Sequence, residues 1–193
     1  MKKEPPGKIK IKNSLKNLLN TKDFDSITTA ETASNAGVTE ALIYKYFKDK
    51  QNLLYEVVEE MFEDVNSYIQ EKVDVEKSPE DKLKAFIFSS IDTYSRERVF
   101  AKIILIEVRR MPAFFQSLPY QSVRNYSKML FDILSLGIEK GVFKKEPGTK
   151  VLRDMILGSI EHTCLWGIIF SKEIDAFQIT SQIFSTILYG IKA

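Results

Sequence analysis

Residues 28–54 read TTAETASNAGVTEALIYKYFKDKQNLL, and this stretch decides the fold. Thr28 is placed to cap a short helix, Ala36-Gly37-Val38 to make a turn, and Thr39 to cap a second helix. Ala36 is small where two helices meet closely. Gly37 can take the positive φ that ends the first helix, and Val38 faces inward to fix the crossing. Tyr44, Tyr46, Phe47, Lys48 and Lys50 follow within seven positions. That order of parts suits a helix-turn-helix unit that lays its second helix in the major groove of DNA.

Upstream, Met1 to Gly7 is expected to be a flexible arm, with Pro5-Pro6 barring helix. Ile11, Leu15, Leu18 and Leu19 then recur at helical spacing, so a first helix over about Lys8 to Asn20 packs on the pair. Downstream, an apolar stripe runs from Leu53 to about Val73. Ser78-Pro79-Glu80 is a helix start, since serine caps and proline takes the first turn. Further helices are expected over Arg96 to Arg110, from Pro119 to Gly141, from Thr149 onward and over about Ile174 to Ile191. The penultimate one is apolar nearly all round and must be covered on several sides. No strand and no repeat emerges. The reading is an all-α protein of about nine helices, with a three-helix head over residues 1–52 and a helical body over residues 53–193.

Composition narrows the classes. With 193 residues, 44% hydrophobic and 28% charged, the chain is long enough to bury a core and too apolar to be disordered. Its one cysteine, Cys164, allows no internal disulfide and fits a reducing cytoplasm. No targeting segment is visible. The most apolar run, Met155 to Phe170, is interrupted by Glu161 and His162 and is shorter than the roughly 20 residues of a membrane span. Net charge is uneven: residues 1–52 hold ten lysines against six acids, a net +4, and the remainder holds 18 basic and 20 acidic residues, a net −2. A basic head on a slightly acidic body suits a protein that sets one end on a polyanion.

Phe24, Thr28, Ala33, Ala36, Gly37, Val38, Thr39, Ile43, Tyr44, Tyr46, Phe47, Lys48, Lys50, Leu53 and Leu54 together resemble the DNA-binding head of the TetR family of repressors. The likeness covers about a quarter of the chain closely. It implies that Thr28, Thr39, Tyr44, Lys48 and Lys50 contact DNA, chiefly its phosphates. It puts Thr29, Glu40, Ala41 and Lys45 where the family reads bases. This chain departs from the pattern at Thr32, usually a core aliphatic, at Ala30, often arginine, and at Ala41, often glycine. The head has no arginine, so bidentate guanine reading by that residue is absent.

A single head makes few phosphate contacts, so two heads on a palindromic duplex operator are expected, and the body must supply the two-fold. Its last two helices have the apolar surface for a four-helix bundle. Met155, Ser159, Phe177, Phe184 and Leu188 are the expected interface of a homodimer. The body is also rich in aromatics, and two prolines break helices near them. The resemblance implies an effector cavity there, lined by Phe62, Phe86, Tyr94, Glu107, Phe115, Tyr126, His162 and Trp166. The effector is expected to be a hydrophobic small molecule. Ile103 to Arg110, Leu136 to Phe143 and Gly158 to His162 bear a fainter likeness to the branch that senses fatty acids or acyl-CoA.

An enzyme is not indicated. Glu161 and His162 are adjacent and diverge on a helix, Cys164 faces another side, and the sole histidine cannot supply a His-plus-His zinc site. No phosphate-cradling or nucleophile-elbow motif exists, and no cofactor or metal is called for. The acids Glu59-Glu60 and Glu63-Asp64 read as a solvated face. The alternative to a DNA-binding regulator is a helical carrier of lipid or another hydrophobic ligand that does not touch DNA.

Overall fold

The computed structural model describes residues 4–192, and among these the chain forms nine α-helices. The head comprises α1 (Pro6–Leu19), α2 (Thr29–Ala36) and α3 (Glu40–Tyr46), with a 3-10 turn at Phe24–Ser26. The body comprises α4 (Lys50–Asp74), α5 (Pro79–Arg96), α6 (Arg98–Lys102), α7 (Tyr120–Glu139), α8 (Thr149–Ile169) and α9 (Ala176–Ile191).

Helix α1 begins at Pro6, two residues earlier than the sequence implied, so the arm is shorter; Met1–Lys3 fall outside the described residues. Proline has no N–H to leave unsatisfied in a first turn, so Pro6 opens the helix that it was expected to bar. Thr28 caps α2 by accepting the Glu31 N–H at 3.0 Å. Gly37 ends α2 at φ +65°, the left-handed conformation that glycine adopts without a Cβ clash. Thr39 has the extended backbone of a cap, but its hydroxyl makes no cap bond to α3. Asp49 caps α4, accepting from Asn52 N at 2.8 Å, and Ser78 caps α5.

Ile11, Leu15, Leu19, Phe24, Ile27, Ile43, Phe47 and Leu53 are buried together and hold the head on the first turns of α4. Thr32, the departure from an aliphatic pattern, is fully buried yet satisfied: its hydroxyl donates to the Thr28 carbonyl at 2.8 Å. The α1 lysines turn toward α4. Lys8 pairs with Glu56, and Lys12 and Lys16 pair with Glu60. Much of the head's positive charge therefore fastens α1 to the body, and part of the acidic face of α4 is a docking face rather than a solvated one.

Helix α5 is the axis of the body, with α4, α7, α8 and α9 packed about it. The single helix expected over Arg96–Arg110 is not what forms. After α6 the chain widens to a π-helical turn at Ile103–Glu107, then tightens to a 3-10 turn at Val108–Arg110. Each change of winding rotates the side chains that follow, so alternate faces of this short segment serve different neighbours.

Candidate DNA-reading face and effector cavity

In the head, Thr39, Glu40, Ala41, Tyr44, Lys45 and Lys48 are exposed along α3 and its exit, and Thr28 stands exposed beside them. Thr29 is half-buried; its hydroxyl bonds the Glu40 carboxylate and lies 3.3 Å from the Tyr44 hydroxyl. Three of the expected contact residues thus hold one another in place across the helix pair. Lys50 departs from expectation. Its ammonium donates to the carbonyls of Phe24 at 2.9 Å and Ile27 at 2.7 Å, and sits 4.3 Å from the centre of the Phe24 ring. It ties the 3-10 turn to α4, and two of its three N–H donors are spent on those carbonyls.

In the body, a cavity of about 340 Å³ opens between α4, α5, α7, α8 and the segment after α6. Phe62, Tyr94, Phe115 and Tyr126, all expected at the effector site, line it. Phe114 and Tyr120, among the aromatics of the region expected to enclose the effector, also line it; sequence reasoning missed Ile104, Val108 and the ion pair Arg109–Glu161. The one acid within the apolar run Met155–Phe170 was the available signal: Glu161 needed a partner, and Arg109 supplies it. Burial holds the Tyr94 and Tyr126 phenols well above the ordinary tyrosine range, with the neighbouring Glu161 adding to the effect, so both stay protonated donors. Tyr126 donates to Ser90 Oγ at 2.9 Å.

Four of the expected cavity residues lie elsewhere. Phe86 is fully buried behind the wall, its ring stacked 5.0 Å from that of Tyr126. Glu107 points to the other side of its segment, toward the head, where it accepts from the Phe24 N–H and from Arg110. Ile104 and Val108 face the cavity from this segment while Glu107 faces the head. His162 and Trp166 are exposed on the outer face of α8, with Trp166 against Phe170 at 4.2 Å between ring centres.

That outer face also carries Val151, Met155 and Ile169, all exposed. Ser159 is half-buried on it and donates to the Met155 carbonyl. On α9, Phe177 is 77% exposed but lies 4.8 Å from Phe88 of α5. Phe184 is half-buried with Lys84 above its ring, and Leu188 is half-buried.

Beside the cavity, and sharing Tyr120, Val123 and Ser127 with it, lies an open groove edged by Arg124, Lys128, Lys150 and Arg153, with Asp132 the one acid on its rim. Lys128 is paired with Asp132 and Arg153 with Asp154, so among the described residues the groove's unpaired positive charge is that of Arg124 and Lys150, and it adjoins the apolar cavity.

A helix-turn-helix head on an all-helical body with an internal cavity defines a class of bacterial regulator, and the comparisons agree. Residues 14–57 match the family model of bacterial regulatory proteins of the tetR family, and residues 47–190 match that of the C-terminal region of YsiA-like proteins. The chain belongs to the tetR family of bacterial regulatory proteins. It is similar to the fatty acid metabolism regulator protein of Bacillus subtilis (strain 168), 21% identical over 191 residues that cover 99% of this chain and 98% of that one. It is also similar to the transcriptional repressor KstR2 of Mycolicibacterium smegmatis, 25% identical over 85% of this chain and 80% of that protein. Among solved structures, FadR of Bacillus subtilis in complex with stearoyl-CoA superposes with a TM-score of 0.85 at 20% identity, covering 95% of this chain and 98% of that one. The fatty acid degradation regulator FadR of Bacillus halodurans gives 0.86 at 21% identity, with 98% of each chain covered.

Proposed function

We propose that this protein is a homodimeric repressor that binds a palindromic operator in the cytoplasm and is released by a long-chain acyl ligand of the acyl-CoA type. The observation that carries the reading is the junction of the aromatic cavity with the groove edged by Arg124, Lys128, Lys150 and Arg153. An acyl chain fits an apolar cavity, and the phosphates of a nucleotide carrier fit a cationic rim. The relatives that regulate fatty acid metabolism, and the stearoyl-CoA held by one similar structure, support the same class of effector.

The heads meet DNA through Thr28, Thr39, Tyr44 and Lys48, with Thr29, Glu40, Ala41 and Lys45 nearest the bases. Two heads must stand about 34–36 Å apart to enter successive grooves on one face of the duplex. The outer face of α8, with Met155, Ser159, His162 and Trp166, is the main surface for the partner, joined by Phe177, Phe184 and Leu188 of α9. Release follows from linkage: ligand and DNA prefer different arrangements of the same dimer, and the shift is bounded by the ligand's differential affinity for the two.

Operator fragments recovered from a random-sequence DNA library, followed by fluorescence anisotropy with and without stearoyl-CoA, test this reading. Tight, salt-sensitive binding that weakens as stearoyl-CoA is added is expected. Negligible DNA binding at any salt concentration would favour a hydrophobic-ligand carrier. DNA binding unmoved by stearoyl-CoA or its homologues would remove the effector assignment.

A further inference from the structure

The effector cavity does not end at its inner wall. A void of about 10 Å³ lies beyond it, and Phe62, Tyr94 and Tyr126 line both. On its other side Val65, Thr93 and Phe100 are shared with a groove of about 370 Å³ that opens between α4 and α5, at the end where Lys16 of α1 reaches over. Cavity, void and groove thus adjoin one another in turn through shared walls. The narrow point is an edge-to-face pair, Phe62 and Phe100, with ring centres 4.9 Å apart.

The walls there suit hydrocarbon rather than a polar headgroup. Two of their hydroxyls are turned onto the backbone, Ser90 donating to the Phe86 carbonyl and Thr93 to the Ser89 carbonyl, both at 2.7 Å, and Tyr126 donates to Ser90. At the far mouth Arg96 and the Tyr68 hydroxyl are both on Asp92, Lys16 pairs with Glu60, and Asp64 and Glu97 add negative charge. Nothing along this path calls for an anion, whereas the opposite mouth has Arg124 and Lys150 outside any ion pair among the described residues. Phe100 precedes the change of winding at Ile103, so its backbone is continuous with the segment that touches the head.

We infer that Phe100, closing against Phe62, is the gate that measures ligand chain length: short acyl chains end in the aromatic cavity, and long ones displace the Phe100 ring and emerge beneath α1 beside Met61. The inference rests on the proposed acyl ligand. It assigns chain-length selection to a residue outside the cavity itself. A long chain then acts on the head twice, through the segment bearing Phe100 and by filling the groove against Lys16.

The test uses the full-length dimer and octanoyl-, dodecanoyl-, palmitoyl- and stearoyl-CoA, with affinities from isothermal titration. Each methylene that enters apolar surroundings adds about 0.8 kcal/mol, or roughly fourfold in Kd. In Phe100→Trp the bulkier ring stops the chain earlier, so the loss grows with length and reaches about an order of magnitude for stearoyl-CoA. Phe100→Leu, which narrows nothing and is mild in packing, shifts selection toward the longest chains. A fluorophore on Met61→Cys reports arrival at the far mouth, because the native Cys164 is buried and its thiol is pushed up to about 11. Stearoyl-CoA is expected to shift its emission and octanoyl-CoA not to. Equal losses at every length, or a Met61 probe silent to stearoyl-CoA, would overturn the gate. Failure of all four ligands to bind the unaltered protein would instead overturn the effector assignment.

Discussion

Arg110 of the body holds Asp25 of the head, guanidinium to carboxylate, at 2.6 Å. Its other terminal nitrogen binds Glu107, which is only 2% exposed and also accepts the Phe24 N–H at 3.4 Å. Lys102, eight residues before Arg110 at the end of α6, pairs with Asp23. The opposite side of the segment, Ile104, Val108 and Arg109, lines the effector cavity. One short, irregularly wound piece of chain therefore touches ligand space on one side and the head on the other. That is the physical contact through which occupancy of the cavity can bias head position.

Arg110→Ala should expose this coupling. It leaves the buried Glu107 carboxylate with one long hydrogen bond, so a loss of about 2 kcal/mol in urea unfolding is expected. Glu107→Gln with Arg110 retained should be milder. In both variants, operator binding without ligand should persist and its release by ligand should weaken. Anisotropy titrations measure both, and unaltered release would mean that the latch has no part in signalling.

Lys48 and Lys50 should separate cleanly. Lys48→Ala is expected to lower the magnitude of the salt slope of DNA binding by about two, since it removes one phosphate contact from each of the dimer's two heads. Lys50→Met should leave that slope unchanged and destabilise the fold by about 2 kcal/mol, because two carbonyls lose a charged donor. Salt titration of operator binding beside urea unfolding distinguishes the two.

Asp49 supplies a pH-dependent cap. The Asn52 backbone N–H holds its carboxylate below the ordinary range. Its stabilisation is therefore complete above the ordinary aspartate value and is lost as pH falls through the lower folded-state value. Asp49→Ala should cost about 1 kcal/mol at pH 7 and markedly less near pH 3. Paired unfolding curves at the two pH values check the sign.

Trp166 is the sole tryptophan and stands 60% exposed on the α8 face assigned to the partner. Its emission should be blue-shifted in the dimer and move to the red on dilution or in Met155→Glu. Sedimentation equilibrium on the same samples should show monomers, and operator affinity should collapse with them. A tryptophan spectrum indifferent to concentration and to Met155→Glu would relocate the interface.

Gly137 faces the Phe143 ring so closely that an added Cβ would overlap it, and both residues are buried. Gly137→Ala should therefore destabilise the body by about 1–3 kcal/mol, seen as a lower Tm. The turn that follows needs the α7 end and Phe143 in this tight packing, since Val142 and Phe143 both donate to the Gly137 carbonyl.

The residues from Thr28 to Leu54 by themselves determined the helix-turn-helix, because its parts are local: a cap, a glycine at positive φ and an apolar spacing each act within a few positions. The same locality made the starts of α5 and α8 and the cap of α2 legible, and the aromatic residues of the body cavity were visible in composition. What a side chain faces across space was decided only by the tertiary structure. Lys50 has the composition of a phosphate clamp, yet carbonyls of a turn more than 20 residues earlier claim it. Glu107 looked like a ligand contact, yet it faces the head. His162 and Trp166 share a helix with Glu161, and a rotation of one position sends them outward while Glu161 meets Arg109. Helical periodicity fixes angles within an element, but the winding of irregular segments and the docking of one element on another depend on contacts distant in sequence, and those choose which face becomes the site.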